Sequence, residues 1–496
     1  MLNVTVAIKV MISFGNSLPY DRLKSPLQFE GAFTSLQKTR EMARIGILIG
    51  LSMYMYCACM QNSYAQTGPY QKQLITDQGG DRATAYTMSN KILMLEDGIL
   101  CTWIDRNRQN RWSFIDHEEN QVKEGKIGGI MPDNHCGAAL AQSLGGTIHA
   151  VIGGHHSNLY HYQMDDIRTS DWSLVDSIVA RATYPSLVSS QNGKLYLSFR
   201  HKKEKFWSLD LVEFENNQWS EPRTIVEAAK PGYVYWTNSL SIGSDDRVHL
   251  LFANVQPDPP GFEKGSLYHG ASHLFSGDGG KTWASYSNGK VDTPARVNDL
   301  GLIEGEYKAD RLASPGFLEQ YAEGGPTSKE YMQIQLSNLV IDQFNTPHFL
   351  YHNGFKGSVA LRSYLDNHWV ETDLSPALHI DESRYRVHMQ SSLSSYKGDL
   401  YAGIMLVPTK ENVWGADGTI TVVLKINVSK SNVEKLLQTP GNLSTAQWLP
   451  SFAHSHHWKK EVVPVMLYTE GINAGGFQNN YNEIATKVWL VKFLEK

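Results

Sequence analysis

One pattern dominates the sequence and leaves few folds open to it: a polar turn followed by a short apolar strand, repeated about every fifty residues. Glu96-Asp97-Gly98 precedes ILCTWI, Gly145-Gly146 precedes TIHAVIG, and Asn192-Gly193 precedes KLYLSFR. The unit returns at Asp245-Asp246 before RVHLLFA, at Asn345-Thr346-Pro347 before HFLYH, and at Lys397-Gly398-Asp399 before LYAGIM. Measured from Gly98, Gly146, Gly193, Asp246, Asn345 and Gly398, the steps are 48, 47, 53, 99 and 53 residues. Gly, Asn and Asp tolerate the left-handed backbone of a tight turn, and β-branched or aromatic residues suit the strands that follow. Repeats of this length with several short strands each are the mark of propeller blades. The expectation is an all-β chain: a seven-bladed β-propeller of four-stranded antiparallel blades. The 99-residue step reads as two units with one degenerate copy near residue 300, and 253–271 and 301–330 read as long inserted turns.

A tryptophan strand recurs between these units, at Trp112, Trp172, Trp219, Trp283, Trp369 and Trp448, each after a polar turn. One copy, Ser276-Gly-Asp278-Gly-Gly280-Lys-Thr282-Trp283, fits S-x-D-x-G-x-T-W, the Asp box of sialidase-like propellers. There the Asp accepts hydrogen bonds within the turn, Gly takes the open backbone angle and Trp packs between sheets, so Asp278 is assigned a structural role. Helical periodicity is scarce. The clearest candidate helix is Ser431–Leu437, where Ser precedes a Glu three residues on.

Composition narrows the function classes. Charged residues are only 19% and aromatics 11%, which excludes a disordered chain. A net charge of −5 excludes a dedicated nucleic-acid binder. From Met42 the sequence reads MARIGILIGLSMYMYCACMQNSYAQTG: a basic start, an apolar core and a small-polar-small end before Gln66. That is the layout of an export signal, too short for a membrane span. The expected organisation is an upstream extension over 1–41, a signal peptide over 42–65 and a single propeller domain over 66–496. The mature protein is then expected to be secreted, without a membrane span, and monomeric; a lipid anchor at Cys57 or Cys59 is a minor variant. Only Cys101 and Cys136 would remain, too few for a disulfide framework.

Candidate chemistry concentrates between residues 130 and 240. Asp133-Asn134-His135-Cys136-Gly137 stands just before an apolar strand, and Gly153-Gly154-His155-His156 ends the TIHAVIG strand. Thr183-Tyr184-Pro185 opens the next unit, whose strand ends at Arg200, and Tyr233-Val234-Tyr235 follows. Aromatic residues at strand ends often fill gaps between blades. An Asn-His-x-Gly turn and a strand-terminal Arg have no such packing role.

Taken together, the DNHxGAAL segment, GGHH, TYPSLV with LYLSFR, and the Asp box resemble the secreted propeller-type ulvan lyases, polysaccharide lyase family 25 and its neighbour family 24. The resemblance runs through most of 66–496 and is strongest from about 130 to 240. It implies that His135 and Tyr184 are an acid/base pair and that Arg200 neutralises the substrate carboxylate. His155, Asn134 and a tyrosine of the pair Tyr233 and Tyr235 would line the site. Cys136 departs from the family, where Asn or Asp is more usual. The implied partner is an anionic sulfated algal polysaccharide, and Lys202, Lys203, Lys205 and Arg181 are candidate cations for its sulfate.

The residue types suit a β-elimination. The C5 proton of a uronate is barely acidic while the carboxylate beside it is anionic, and a paired arginine offsets the charge that develops. A base then removes that proton and an acid protonates the departing O4. Such chemistry requires no cofactor. A structural zinc or calcium ion has weaker candidates in His269 with His273 and in His454, His456 and His457. Two other readings stay open: a sialidase-like glycoside hydrolase, against which the absence of an Arg-Ile-Pro segment counts, and a non-catalytic carbohydrate-binding propeller.

Overall fold

The computed structural model describes residues 69–232, 234–257, 266–301, 303–306, 334–353, 358–411, 415–441, 444–454, 463–473 and 484–494. The expected extension and export signal, His456, His457 and Tyr233 lie outside the described residues. What is described is almost wholly antiparallel sheet. Strand β1 (Tyr70–Gly79) is followed by β2 (Ile92–Leu95), β3 (Gly98–Ile104), β4 (Gln109–Asp116) and β5 (Gln121–Ile130), and β2 to β5 form one four-stranded sheet in chain order. Next come β6 (Ala139–Gln142), β7 (Ile148–Gly153), β8 (Ser157–Met164), the long β9 (Ser173–Ser189), β10 (Leu195–His201) and β11 (Ser208–Glu215). These six belong to one nine-stranded sheet, because β9 pairs with β8 through its first half and with β10 through its second.

The remaining sheets begin at Tyr235–Ile242, at Ile334–Leu336 and Val340–Ile341, at Tyr385–Tyr396 and at Ala446–Phe452. The last of them takes strands from both ends of the chain. Strand β1 pairs with Ala485–Phe493, matching Tyr70 to Phe493 and Leu74 to Trp489. Each end of the chain thus completes the other's hydrogen-bonding edge, which closure of a sheet ring requires.

The turn residues behave as their chemistry dictates. Gly146, Gly193, Asp246, Asn345 and Gly398 all have φ between 59° and 92°. Apolar faces of neighbouring sheets meet in shared clusters. Leu209, Leu211 and Val226 of one sheet pack with Trp236, Leu250, Phe252 and Trp283 of the next. In the Asp box, Asp278 accepts from the backbone N–H of Lys281 (3.1 Å) and Thr282 (2.9 Å) and from Thr282 Oγ1 (2.7 Å), and Trp283 is 2% exposed.

Three expectations need correction. The candidate helix at 431–437 is a strand, Asn432–Gln438, paired with Ile420–Asn427. Seven residues are too few for a stable isolated helix, whereas the sheet offers a full edge of partners. Ser431, with φ of 50°, is a turn residue and not a cap. Most of the stretch 253–271 that is described is strand: Val248–Pro257 and Ser266–Ser276 pair antiparallel from Val248 with Ser276 to Pro257 with Ser266, with a register shift between Gln256 and Pro257. Finally, among the described residues of the 99-residue step no separate sheet for a degenerate copy lies between the sheet that begins at Tyr235 and the one that begins at Ile334. Leu251 and Ala271 pack directly against Leu339, Ile341 and Phe349 of the following sheet, and Ser239 Oγ accepts from Leu339 N (2.9 Å).

Candidate active site

Four chain segments converge on the site: the links β1–β2 and β5–β6, which pass between sheets, and the β7–β8 turn and a bulge in β9, which belong to one sheet. The first, between β1 and β2, carries Asp81, Arg82 and Tyr86. It is pinned to the C-terminal sheet: Trp448 Nε1 donates to Asp81 O (2.9 Å) and Thr84 Oγ1 to Leu449 O (2.7 Å). The second, between β5 and β6, is an Asx-type turn in which Asp133 Oδ1 accepts from His135 N (2.8 Å). Asn134 points inward and donates to both Asp81 oxygens (2.9 and 2.8 Å).

The third segment joins β7 and β8. Gly153, Gly154, His155 and His156 have φ of 98°, 86°, 81° and 66°, four consecutive left-handed residues. For the two histidines this costs about 1–3 kcal/mol each, a strain that clusters at functional sites. The turn is held by hydrogen bonds from His156 N to Ala182 O (2.8 Å) and Thr183 Oγ1 (3.2 Å). The fourth segment is a bulge in β9. Ser198 faces Ser186 but Arg200 faces Thr183, which places Tyr184 opposite the irregularity with φ of 60°. Asn238 Nδ2 donates to its carbonyl (3.0 Å).

Asp133 is the hub. Its carboxylate accepts from His135 Nδ1 (3.1 Å) on one oxygen and from His155 Nδ1 on the other. The two imidazoles stack with centroids 4.0 Å apart and planes 17° apart, and Tyr86 covers the other face of His135 at 5.6 Å and 16°. Tyr184 lies 4.9 Å from Tyr86 and 6.4 Å from His135 between centroids. Arg82 Nη1 reaches His135 Nε2 (2.6 Å) and donates to Tyr86 Oη. The Arg200 guanidinium stacks on Tyr184 (4.7 Å) and Trp207 (5.1 Å), donates to Val234 O (3.4 Å), and is only 1% exposed.

The partners fix the tautomer of His135. An ionised carboxylate only accepts and a guanidinium only donates, so Nδ1 carries the proton and Nε2 the lone pair. Burial lowers the proton affinity of His135, to a pKa of about 3; Asp133 opposes this but the Arg82 cation adds to it. The ring is therefore neutral at pH 7. Burial pushes the Asp133 carboxyl upward, yet hydrogen bonds from His135 and His155 hold it well below the ordinary range. His156 is lowered to about 4 by burial and by Arg200, His155, Lys202 and Arg181, which marks a positive field around this face.

Of the residues anticipated from sequence, His135, His155, Tyr184 and Arg200 come together. Asn134 stands beneath the cluster on Asp81. Tyr235 opens the strand Tyr235–Ile242 and its side chain lies outside the described residues. Among the lysines, Lys202 leans over Trp207 (5.6 Å), while Lys203 is bound to Asp210 (3.3 Å) and Thr224. Cys136 donates to Gly154 O (2.7 Å) and so supports the GGHH turn; Cys101 and Cys136 are both buried free thiols.

Sequence reasoning missed Arg82 and Tyr86 altogether, and Asp133 as the shared acceptor. The available signal was Gly79-Gly80-Asp81-Arg82 after a strand, the same placement as the other site segments. A cavity of about 910 Å³ opens at the other end of β6, among Leu95, Glu96, Leu144 and Tyr396. It contains no member of the Asp133 cluster, and the chemistry belongs to the cluster.

Asp133, His135 and His155 bring three ligand-type atoms within 4.8 Å of one another. A bound ion lies in the plane of each imidazole it ligates, and two rings stacked at 4.0 Å and 17° have no common in-plane point within bonding reach. The arrangement fits two N–H donors on one carboxylate and not a metal. Of the other anticipated ligands, His273 Nε2 is 3.1 Å from His249 Nδ1 and His454 Nε2 is 2.8 Å from Thr87 O. The side chain of His269 lies outside the described residues.

A ring-type assembly of antiparallel sheets with an Asp-box turn and a polar cluster at the inner strand ends defines a repeat-built β-propeller. The sequence profile of the BNR repeat-containing family matches residues 84–369, more than half of the chain, and the protein belongs to that family. Among solved structures it is similar to a polysaccharide lyase of the PL25 ulvan lyase family, with 12% identity, a TM-score of 0.60, and coverage of 86% of this chain and 96% of that one. The same lyase bound to -[GlcA(1-4)Rha3S]- gives a TM-score of 0.61, also at 12% identity and the same coverage. Polysaccharide lyase Uly1 is similar at 13% identity and a TM-score of 0.54, over 86% of this chain and 99% of that one. At these identities the likeness establishes the shared fold. No curated protein matches. Among the described residues, no helix is long and apolar enough to cross a membrane.

Proposed function

We propose that the protein is a secreted polysaccharide lyase that cleaves ulvan by β-elimination next to glucuronate or iduronate, on a propeller read as seven-bladed with the nine-stranded sheet counted as two blades. The observation that carries this reading is the meeting of a neutral, oriented imidazole (His135), a phenol (Tyr184) and a guanidinium (Arg200) on one face of the fold that the ulvan lyases share.

Chemically, one partner removes the C5 proton. The C–H electrons form the C4=C5 double bond, the C4–O4 bond breaks, and O4 takes a proton from the other partner. In iduronate H5 and O4 lie on opposite sides of the ring, which suits His135 and Tyr184 as separate groups. In glucuronate they share a side, where Tyr184 alone can serve. Arg200 supplies positive charge beside Tyr184 as the carboxylate gains electron density. Asp133 and His155 hold His135 in its tautomer, and Asn134 supports that turn from beneath. Tyr233 and Tyr235 are proposed to line the sugar groove, with Lys202 and Arg181 toward sulfate. The elimination requires no cofactor once an arginine neutralises the carboxylate, and a zinc or calcium ion would serve structure. The active form is proposed to be a monomer.

Incubating the purified protein with ulvan should raise near-ultraviolet absorbance as unsaturated uronate ends form. Saturable binding without that rise would favour a carbohydrate-binding propeller, and new reducing ends without it would favour a hydrolase; either result overturns the lyase reading.

A further inference from the structure

The lone pair of His135 that a base would use is already occupied. Arg82 Nη1 lies 2.6 Å from Nε2 and also donates to Tyr86, while Nδ1 is committed to Asp133. Any substrate that presents its C5 proton to Nε2 brings a carboxylate on that same carbon, one bond from the reacting centre. Carboxylate oxygens then fall where the Arg82 guanidinium stands. Arg200 is the more deeply buried of the two arginines, 1% exposed against 7% for Arg82, with its guanidinium against both Tyr184 and Trp207. Among the described residues, the charged and titratable groups around the His135 ring are Arg82 and Tyr86 from the β1–β2 segment, Asp133 from the β5–β6 turn, His155 from the β7–β8 turn and Tyr184 from β9.

We infer that Arg82 is a substrate-operated cap on the base: the uronate carboxylate takes over the Arg82 N–H that His135 Nε2 holds at rest, and so frees the lone pair as it binds. The inference rests on the lyase reading of this site. The exchange itself breaks and forms only hydrogen bonds. Afterwards the C5 proton moves to Nε2 to give an imidazolium still bound to Asp133, the C4=C5 bond forms, and O4 departs with a proton from Tyr184. One group thereby couples recognition of the acid to activation of the base. An uncharged sugar leaves the cap in place.

Nitrogen-15 NMR of histidine-labelled wild-type protein tests this without turnover. Iduronate, the uronate whose C5 proton is assigned to His135, should shift the His135 Nε2 resonance, and iduronate methyl ester at the same saturation should not. Equal shifts with both sugars, or none with iduronate at saturation, would overturn the inference. Kinetics supply the second arm, on ulvan and on its carboxyl-esterified form. Arg82→Ala should lower kcat about 10²–10³-fold on native ulvan, abolish the preference for the free acid, and recover part of its rate with added guanidinium. Arg82→Lys should retain the preference. If Arg82→Ala keeps the wild-type preference, Arg82 does not meet the carboxylate. A wild-type protein that forms no unsaturated product from ulvan would sink the lyase reading alone, since the NMR arm does not depend on it.

Discussion

Two sets of buried histidines in this molecule share a depressed proton affinity and differ in everything that follows from it. In the sheets, His149 meets His161 at 3.0 Å and His249 meets His273 at 3.1 Å. Each pair is a neutral imidazole bonded to another, packed against aromatic rings such as Phe214, Trp219 and Tyr286. In the site, His135 is equally neutral but stands between an ionised carboxylate and a guanidinium. Burial dominates the shift in both settings, so a lowered pKa alone does not mark a catalytic histidine. What marks it is a charged partner on each nitrogen, which fixes the tautomer and offers an exchange that a substrate anion can drive. Among the described residues the sheet pairs have no charged hydrogen-bond partner, and they pack within the sheets.

That contrast can be broken by substitution. His135→Gln should reduce lyase turnover by about 10²–10⁴-fold and leave the thermal midpoint within a few degrees of wild type. Retained turnover would move His135 into the packing class. Arg200→Ala is expected to cost activity and stability together. Turnover should fall about 10²–10³-fold, and because the side chain is 1% exposed between two aromatic rings, unfolding free energy should drop by about 1–3 kcal/mol. Chemical denaturation beside product assays separates the two losses. A variant that loses only stability would leave the carboxylate role without support.

The sheet pairs make the reverse prediction. His149, His161 and His249 have folded pKa values lowered to about 4, 3 and 3 by burial, against about 6.5 when unfolded. Below 6.5 the unfolded chain binds more protons than the folded one. The stability these groups confer is thus fully present above pH 6.5 and is lost as the pH falls toward 3–4, by up to about 1.4 kcal/mol per pH unit for each group. Replacing His249 and His273 together by leucine should flatten this acid limb in urea titrations at stepped pH, without changing kcat at pH 7. An unchanged limb would refute the assignment. The smallest effect is expected at Asp278→Ala, which removes the turn hydrogen bonds of the Asp box and should cost about 1 kcal/mol with activity intact.

Much of this architecture was legible in the sequence because the repeat is written locally. Gly146, Gly193, Asp246, Asn345 and Gly398 sit at turns that demand their backbone conformation, and the strands after them alternate as hairpins do. His149 and His249 even occupy the same place in their repeats, third in TIHAVIG and RVHLLFA after the turn. His135, Tyr184 and Arg200 could be singled out because each ends or opens such an element. Arg82 and Tyr86 had only the Gly79-Gly80 turn to mark them, since they precede the first recognisable repeat and reach the site when β1 pairs with Ala485–Phe493 and closes the ring. The strand at Asn432–Gln438 was likewise hidden, its local signals being helical and its hydrogen-bonding partner decisive. Proximity of Asp133 to both His135 and His155 depended on four left-handed residues at Gly153–His156, a geometry that two histidines do not advertise.

The central claim is that this cluster eliminates and does not hydrolyse. Mass analysis of the fragments released from ulvan by the wild-type protein tests it most directly. The account predicts non-reducing ends one water lighter than hydrolysis products, formed by wild type and lost next to iduronate in His135→Gln. Fully hydrated ends, or no fragments at all from protein that binds the polymer, would contradict it.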